Sequence, residues 1–283
     1  MFYPILGAVA LASGTIIEKF VLKAKKLNIK LYQILSFLSI VIVMLPFAYF
    51  FWNISPEALQ LKNILIFLAI IILSIIANLL VFYSLKWEKV SNLEPARILE
   101  PLFVILIALI FSFFLTNDAY SRNLKVLIPA IIAALALIFS HIKKHHLVFN
   151  KYFVAAIFGS FFFALELALA PLILDYYSPL TFYLIRCLGV LLISLILFSS
   201  DLKILNKKTN FLIFTTAIIW VLYRIIIYYG YMNYGIDFTT LIIMLSPVLI
   251  YFFANIFLKE KLSWRNIIAS IIIIACIVYA TMR

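Results

Sequence analysis

The chain has few charged residues, few glycines and very little cysteine or histidine. Only 12% of its 283 residues are charged, against about 25% in average soluble domains. The six glycines form no Walker-type phosphate loop, and they are too few for a dinucleotide-binding loop or a channel filter. Neither a His-Glu-x-x-His nor a Gly-x-Ser-x-Gly motif occurs. We therefore predict that the protein is not an enzyme, has no ATP motor and carries no metal or other cofactor.

The cysteines and histidines show no metal-ligand pattern. Cys187 and Cys276 each lie in an apolar run without a cluster of ligand-type residues, which indicates packing and not a disulfide or a zinc site. His141, His145 and His146 flank two lysines on a polar turn that has no carboxylate or cysteine partner. We interpret this turn as a solvated loop, with a metal cluster as the less favoured alternative.

Apolar residues dominate what is present. They make up 67% of the chain and the mean hydropathy is +1.19, whereas average soluble domains are about 45–50% apolar. No globular core could bury so much apolar surface, so the composition predicts a polytopic membrane protein. The net charge of +12 comes from basic residues in short loops between apolar runs, which is typical of membrane topology and not of nucleic-acid binding.

Ten apolar runs follow one another along the chain, each close to the length of about 20 residues that a membrane-spanning helix needs. Their connections average about eight residues, so no soluble domain fits between them. The predicted fold class is an all-α integral membrane protein with ten transmembrane helices, a multi-pass protein of the cell membrane. The runs cover residues 3–22, 31–52, 63–85, 92–115, 124–140, 152–174, 179–199, 210–231, 237–258 and 264–281.

The fourth and ninth runs share an unusual design. In the fourth, Pro101 has no N–H, so the carbonyl of Arg97 loses its helical donor, and in the ninth Pro247 does the same to Ile243. The two runs occupy equivalent places in two halves of five runs each. Because five is odd, the second half must enter the membrane upside down relative to the first. This is the inverted-repeat organisation of secondary transporters.

The sequences around these two runs resemble the drug/metabolite transporter superfamily and look like its EamA-domain transporters. The first half contributes NLEPARILEPLFVILIALIF and the second FTTLIIMLSPVLIYFFANIFLKEKLSWRNIIASIIIIACIVYA. In the second half, Pro247 precedes an apolar run, a Lys-Glu-Lys-Leu-Ser turn and a last span from Trp264, as in that family. The resemblance implies two inverted EamA-like five-helix repeats, residues 1–146 and 147–283. It also implies transport of amino acids, sugars, nucleotide-linked metabolites or drugs.

The first half departs from the family's pattern in two places. Asn117-Asp118 stands where an acidic turn residue is expected, and Glu100 precedes the proline where small or apolar residues are usual.

Orientation is left with two alternatives. The loops after the first, third, fifth, seventh and ninth spans form the more basic set, which predicts that they are cytoplasmic and that both termini lie outside. The resemblance implies that both termini lie inside.

Three ionisable side chains, Glu94, Arg97 and Glu100, open the fourth run. On a helix they fall within an arc of about 120° with the arginine in the middle. A charge at mid-membrane costs roughly 2.5–3.5 kcal/mol, so such a helix is expected to face a partner or a wet cavity. We predict that Arg97 and Glu100 bind the solute and that Glu100 can also take up a proton. The alternative is an internally paired structural cluster near the membrane surface.

Two more carboxylates are predicted to couple transport to protons. Glu166 lies mid-span in FFFALELALAPLIL with no charged residue within one turn, and an isolated buried carboxyl group tends to be protonated. Glu18 lies in the first span beside Lys19, nearer to a loop. The alternative for both is a neutral side chain that is hydrogen-bonded to a neighbouring helix.

Arg224 lies among tyrosines in WVLYRIIIYYGYMNYG. An arginine with aromatic neighbours can bind a carboxylate or phosphate, or stack on a planar group, so Arg224 and Tyr228 are predicted to contact the solute. Tyr231 and Tyr234 are interpreted as residues of the membrane-interface belt. Arg186 in the seventh span either snorkels or pairs with the carboxylate of the sixth span.

Polar and small residues supply weaker candidates. Asn78 and Ser246 are predicted to contact the solute, although residues of this kind often only bond one helix to another. The last span offers small residues for helix packing, either within its own half or in a homodimer. These residues are Ala269, Ser270, Ala275 and Ala280.

The function predicted from these features is secondary active transport. A small polar organic metabolite would cross the cell membrane by alternating access, with proton or cation coupling as an option. The expected partners are the solute and the lipid bilayer, and no nucleic acid. One alternative is an integral membrane enzyme that acts on lipid or polyprenyl phosphates, but the charges are scattered over five spans instead of gathered at one interface. The other is a non-transporting membrane subunit.

Overall fold

The computed structural model describes residues 3–24, 27–88, 90–97, 99–115, 120, 124–141, 150–198, 206–258 and 264–281. Several sequence features lie outside the described residues. They are the histidine loop with His145 and His146, the Asn117-Asp118 turn, the Lys-Glu-Lys-Leu-Ser turn, and the side chains of His141 and Glu94.

The described chain is built from α-helices that coincide with the predicted apolar runs. The first half contains α1 (Tyr3–Leu22), α2 (Ile29–Phe51), a short 3-10 helix (Pro56–Leu59), α3 (Leu61–Trp87), α4 (Val90–Arg97), α5 (Leu99–Phe114) and α6 (Leu124–His141). The second half contains α7 (Lys151–Leu169), α8 (Pro171–Leu174), α9 (Pro179–Phe198), α10 (Lys207–Tyr234), α11 (Ile236–Ile243), α12 (Leu245–Leu258) and α13 (Trp264–Thr281).

Asparagine starts three of these helices. The side-chain oxygens of Asn28, Asn150 and Asn206 accept hydrogen bonds from backbone N–H groups in the first turns of α2, α7 and α10. The first N–H groups of a helix have no partner within the helix, so such caps fix where each helix begins.

Proline interrupts the ninth run. α11 ends at Ile243, four residues before Pro247, and α12 begins at Leu245. The helix thus ends at the residue whose carbonyl the proline deprives of its helical donor. In the fourth run the described residues form α4, up to Arg97, and α5, from Leu99.

Among the described residues, seven stretches are long and apolar enough to cross a membrane. They are Tyr3–Leu22, Ile29–Phe51, Leu61–Trp87, Lys151–Leu174, Pro179–Phe198, Lys207–Tyr234 and Ile236–Phe253. Three further apolar helices are shorter: Leu99–Phe114, Leu124–Ala136 and Ile267–Ala280. The prediction of an all-α, multi-pass membrane protein is confirmed, whereas the count of ten spans and the inverted repeat remain predictions.

Helices of the two halves interleave. α3 packs against α7, α1 against α10, α2 against α9, and α6 against α13. The α3–α7 contact is close at Gly159, where an added Cβ would lie 2.8 Å from Cγ2 of Val81. Ala269 and Ala280 of α13 are buried within the chain, so these two small residues serve packing inside the bundle. A homodimer remains a prediction.

The two cysteines are free and do not pair. Cys187 is buried in the core and Cys276 is partly buried beside a smaller apolar cluster. Both therefore act as packing residues.

Candidate functional site

A cavity of about 50 Å³ lies in the middle of the bundle, where α1, α2, α3, α4, α5, α7, α9 and α10 meet. A space of this size holds a few water molecules. Its wall combines charged residues with a set of aromatic rings. The charged residues are Glu18, Arg97, Glu100, Arg186 and Arg224, and the rings belong to Phe37, Phe82, Phe163, Tyr183, Trp220 and Tyr223.

Glu166 is fully buried between two of the cavity arginines. Its Oε2 lies 2.8 Å from Nη2 of Arg186, and its Oε1 lies 3.7 Å from Nη1 of Arg224. The Arg186 guanidinium also donates to Oγ of Ser74 at 2.6 Å and to the hydroxyl of Tyr228 at 3.3 Å. The expectation that Glu166 is isolated from other charges is therefore wrong. Both arginines come from helices that are distant in sequence, and the pairing alternative for Arg186 is present.

Arg224 is the less restrained of these two arginines. Its side chain is only 7% exposed, yet its Nη1 has no hydrogen-bond partner among the described residues. The guanidinium carbon lies 5.4 Å from the ring centre of Phe163 and 5.7 Å from that of Tyr223, within the range of cation–π attraction. A cation that lines a cavity and keeps an unused donor can bind an anionic group.

Two other charged residues of the cavity are hydrogen-bonded to hydroxyl groups of α1 and α2. Oε1 of the buried Glu18 accepts a hydrogen bond from the hydroxyl of Tyr32 at 3.0 Å. Arg97 is half-buried and donates from Nη2 to Oγ1 of Thr15 at 3.1 Å. Glu100 is half-buried as well, and it interacts electrostatically with Arg224 and Arg97.

The charges around the cavity are balanced in sign. Three carboxylates and three guanidinium groups meet there, so the fully ionised set has no net charge. They are Glu18, Glu100, Glu166, Arg97, Arg186 and Arg224. A solute that carries a single charge would upset this balance, whereas a zwitterionic solute, or an anionic solute that enters with a proton, would preserve it.

The remaining predicted site residues fall into two groups. Asn78 lines the cavity, and its Nδ2 donates to the backbone oxygen of Ser74 at 2.7 Å. Tyr228 is completely buried and does not line the cavity, and its hydroxyl lies 3.5 Å from Oε1 of Glu166. Ser246 is buried elsewhere, and the structure does not bring it to this cavity.

Several residues of the site escaped the sequence reasoning. Ser74 accepts a hydrogen bond from Arg186. Thr15 accepts one from Arg97, and Tyr32 donates one to Glu18. A usable signal existed for Ser74, because it stands four residues before Asn78 and the two share a face of α3. Nothing local marks the other two, since hydroxyl residues are common in membrane helices.

The tyrosines of α10 are placed differently from the expectation. Tyr231 is only 3% exposed, so its assignment to the interface belt is wrong. The side of α10 that carries it faces the core, where α10 packs against α1, α2, α9 and α11. Tyr234, near the end of the helix, is partly exposed.

A bundle of membrane-spanning helices around a charge-lined central cavity defines a polytopic membrane protein with the build of a transporter. The model of the EamA-like transporter family matches residues 150–282. This match covers the second half of the chain and agrees with the sequence resemblance to the drug/metabolite transporter superfamily.

Solved structures match this chain. One, titled only as the crystal structure of a protein, aligns with a TM-score of 0.71 over 99% of this chain and 97% of that chain. Its sequence is 14% identical, so the likeness concerns the fold alone. No curated protein matches the chain.

Proposed function

We propose that the protein is a secondary active transporter that moves a small polar organic metabolite across the cell membrane by alternating access. The observation that carries this proposal is the gathering of six buried or half-buried ionisable side chains around one cavity in the middle of the bundle. Ionisable groups inside a membrane are costly and mark solute or ion pathways. Members of the EamA-like family are transporters, which fits the same function.

The packing of the helices supports two inverted five-helix repeats, residues 1–146 and 147–283. Exchanging equivalent spans turns the α1–α10 contact into the α7–α3 contact, and the α1–α12 contact into the α7–α5 contact. The same exchange leaves the α2–α9 and α6–α13 contacts unchanged, because each of them joins two equivalent spans. A pseudo-twofold axis in the membrane plane, as in other inverted-repeat transporters, produces this pattern.

Arg224 is proposed as the ligand for an acidic group of the solute, with Arg97 as a second cation nearby. Arg224 lines the cavity and makes no hydrogen bond through Nη1, whereas Arg186 is held by Glu166, Ser74 and Tyr228. A cationic part of the solute would lie against Glu100. Asn78 offers a neutral polar contact on the α3 side.

Alternating access is supported by the small size of the cavity and by polar contacts that close one end of the bundle. At the end where α1 begins, the Ser55 N–H donates to the backbone oxygen of Tyr176 at 2.9 Å. There the Ser178 N–H donates to the backbone oxygen of Asn53 at 3.1 Å. These bonds join the α2–α3 connection of the first half to the α8–α9 connection of the second. For a metabolite to enter or leave the cavity, these bonds or the contacts at the other end of the bundle would have to open.

The test is a thermal-stability screen of the detergent-purified protein against amino acids, sugar phosphates, nucleosides and cationic drugs. A ligand at 100 times its dissociation constant should stabilise the fold by about 2.7 kcal/mol. We expect anionic or zwitterionic hits that disappear in Arg224→Ala and persist in Arg265→Ala, a control on α13 away from the cavity. Hits that persist in Arg224→Ala would refute its role, and hits confined to cations would move binding to Glu100 and Glu18.

Transport is then measured with the bound solute in proteoliposomes. Accumulation against a gradient, lost in Arg224→Ala, is the expected result. Binding without flux would favour the non-transporting subunit, and turnover of a lipid phosphate would favour the membrane enzyme.

A further inference from the structure

Two extended segments from different halves of the chain pair at one end of the bundle. Residues 51–55 follow α2, and residues 176–181 lead into α9. An antiparallel bridge joins Ile54 to Tyr177, and a backbone hydrogen bond flanks it on each side, at 2.9 and 3.1 Å. We call this pairing the latch, because it fastens the first half of the chain to the second.

Hydroxyl side chains strengthen the latch. Oγ of Ser178 donates to the backbone oxygen of Phe51 at 2.5 Å and accepts from the Thr181 N–H at 3.2 Å. Oγ1 of Thr181 accepts from the Asn53 N–H at 3.0 Å. Each of these bonds can be exchanged for a bond to water, so the latch can open at a water-facing end of the bundle.

A row of buried aromatic rings runs inward from the latch. The ring centres of Tyr177 and Phe182 lie 5.6 Å apart, and those of Phe182 and Tyr228 lie 4.9 Å apart. Both contacts are edge-to-face and within the distance range of favourable aromatic pairs. Tyr177 is 8% exposed, and the other two rings are completely buried. Phe67 of α3 packs against the first two rings, at 5.5 and 5.2 Å.

The row ends at the charged pair beside the central cavity. The hydroxyl of Tyr228 accepts from Nη1 of Arg186 at 3.3 Å and lies 3.5 Å from Oε1 of Glu166, to which it donates. Arg186 lines the cavity and stands four residues after Phe182, on the same face of α9. Close-packed interiors transmit displacements, so a shift of the row at the latch would move the Tyr228 hydroxyl.

We propose that the rings of Tyr177, Phe182 and Tyr228 couple the latch to the pair of Glu166 and Arg186. When the latch opens, the row shifts and the Tyr228 hydroxyl leaves Arg186. While that hydrogen bond is intact, it favours the closed latch, since coupling between two sites is reciprocal. The proposal rests on the proposed alternating access, for which it supplies the link between an entrance and the central cavity.

The test measures latch opening at a position that is two rings away from the perturbed hydroxyl. Oγ of Ser55 is buried, so the thiol of Ser55→Cys should react with a water-soluble maleimide only when the latch opens. The purified full-length protein is labelled in detergent, and peptide mass spectrometry separates this site from Cys187 and Cys276. We expect Tyr228→Phe, which keeps the ring but loses the hydroxyl, to raise the labelling rate at least about fivefold, the lower end of typical coupling. An unchanged rate would overturn the proposal.

A matched control excludes a general loosening of the bundle. Tyr231→Phe makes the same chemical change in a buried tyrosine of the same helix, outside the row of rings, and it should leave the labelling rate unchanged. A rise equal to that in Tyr228→Phe would refute a specific link.

A second variant tests the route and does not require Tyr228→Phe to fold. Phe182→Leu interrupts the row, so it should raise the labelling rate by itself, and an unchanged rate would overturn the proposal. When both variants fold, adding Tyr228→Phe to Phe182→Leu should cause no further rise. A full additional rise would show that the row is not the route.

The latch itself is tested by cross-linking. Ser55 and Tyr176 lie opposite each other beside the bridge, and opposed residues of antiparallel segments have Cα atoms about 4.5–5.5 Å apart, which a disulfide can span. Ser55→Cys/Tyr176→Cys should therefore form a disulfide under mild oxidation, and failure to do so would refute the latch. These assays need no solute, so their outcome is independent of the binding and flux measurements that test the transport function.

Discussion

The pair formed by Glu166 and Arg186 should behave as one energetic unit. Both side chains are at most 2% exposed and their charged atoms lie 2.8 Å apart. Removing one partner of such a buried pair leaves an uncompensated charge, which typically costs about 3–5 kcal/mol of unfolding free energy. Glu166→Gln would leave two arginines facing each other, and Arg186→Met would also leave Ser74 without its charged donor. We expect each single variant to lose about 3–5 kcal/mol.

The double variant Glu166→Gln/Arg186→Met decides whether this reasoning holds. If the two effects were independent, it would lose about 6–10 kcal/mol. We expect a loss close to that of one single variant, because no unpaired member of the pair remains. The measurement is the unfolding of the purified protein in mixed detergent micelles, with the exposed Glu57→Gln as an unchanged control. Single losses below about 1 kcal/mol, the magnitude of a solvated pair, would refute the buried network.

Two backbone predictions follow from glycines. Gly235 connects α10 to α11 with φ 80° and ψ 165°, a conformation nearly restricted to glycine. Gly235→Ala should therefore destabilise the fold by about 1–3 kcal/mol, and an unchanged unfolding midpoint would contradict that backbone geometry. Gly159→Leu should overpack the α3–α7 contact and cost about 1–3 kcal/mol in the same assay. Combining it with Val81→Ala, which removes the nearest atoms, should recover part of that lost stability. If no stability were recovered, Val81 would not be the residue that crowds position 159.

The positions of the helices could be predicted because the length of an apolar run is a local property. The first run, predicted over 3–22, is the helix Tyr3–Leu22, and the run predicted over 179–199 is Pro179–Phe198. The break in the ninth run also follows from local chemistry, since a proline removes one specific hydrogen bond.

Part of the cavity was predictable for a related reason. A charged residue in an apolar run is visible without a structure, and it must face the interior because lipid cannot solvate it. This ground predicts interior positions for Arg97, Glu100, Glu18 and Arg224, and all four line the cavity.

Which residues meet was decided only by the tertiary structure. The partners of Glu166 come from α9 and α10, and the burial of Tyr231 depends on the packing around α10. In a soluble helix the apolar face reveals which side is buried. In a membrane helix the lipid-facing and core-facing sides are both apolar, so the sequence does not specify the direction in which an uncharged side chain points. The sequence by itself thus determined the spans and the inventory of charges, and the packing of the helices determined how those charges are paired.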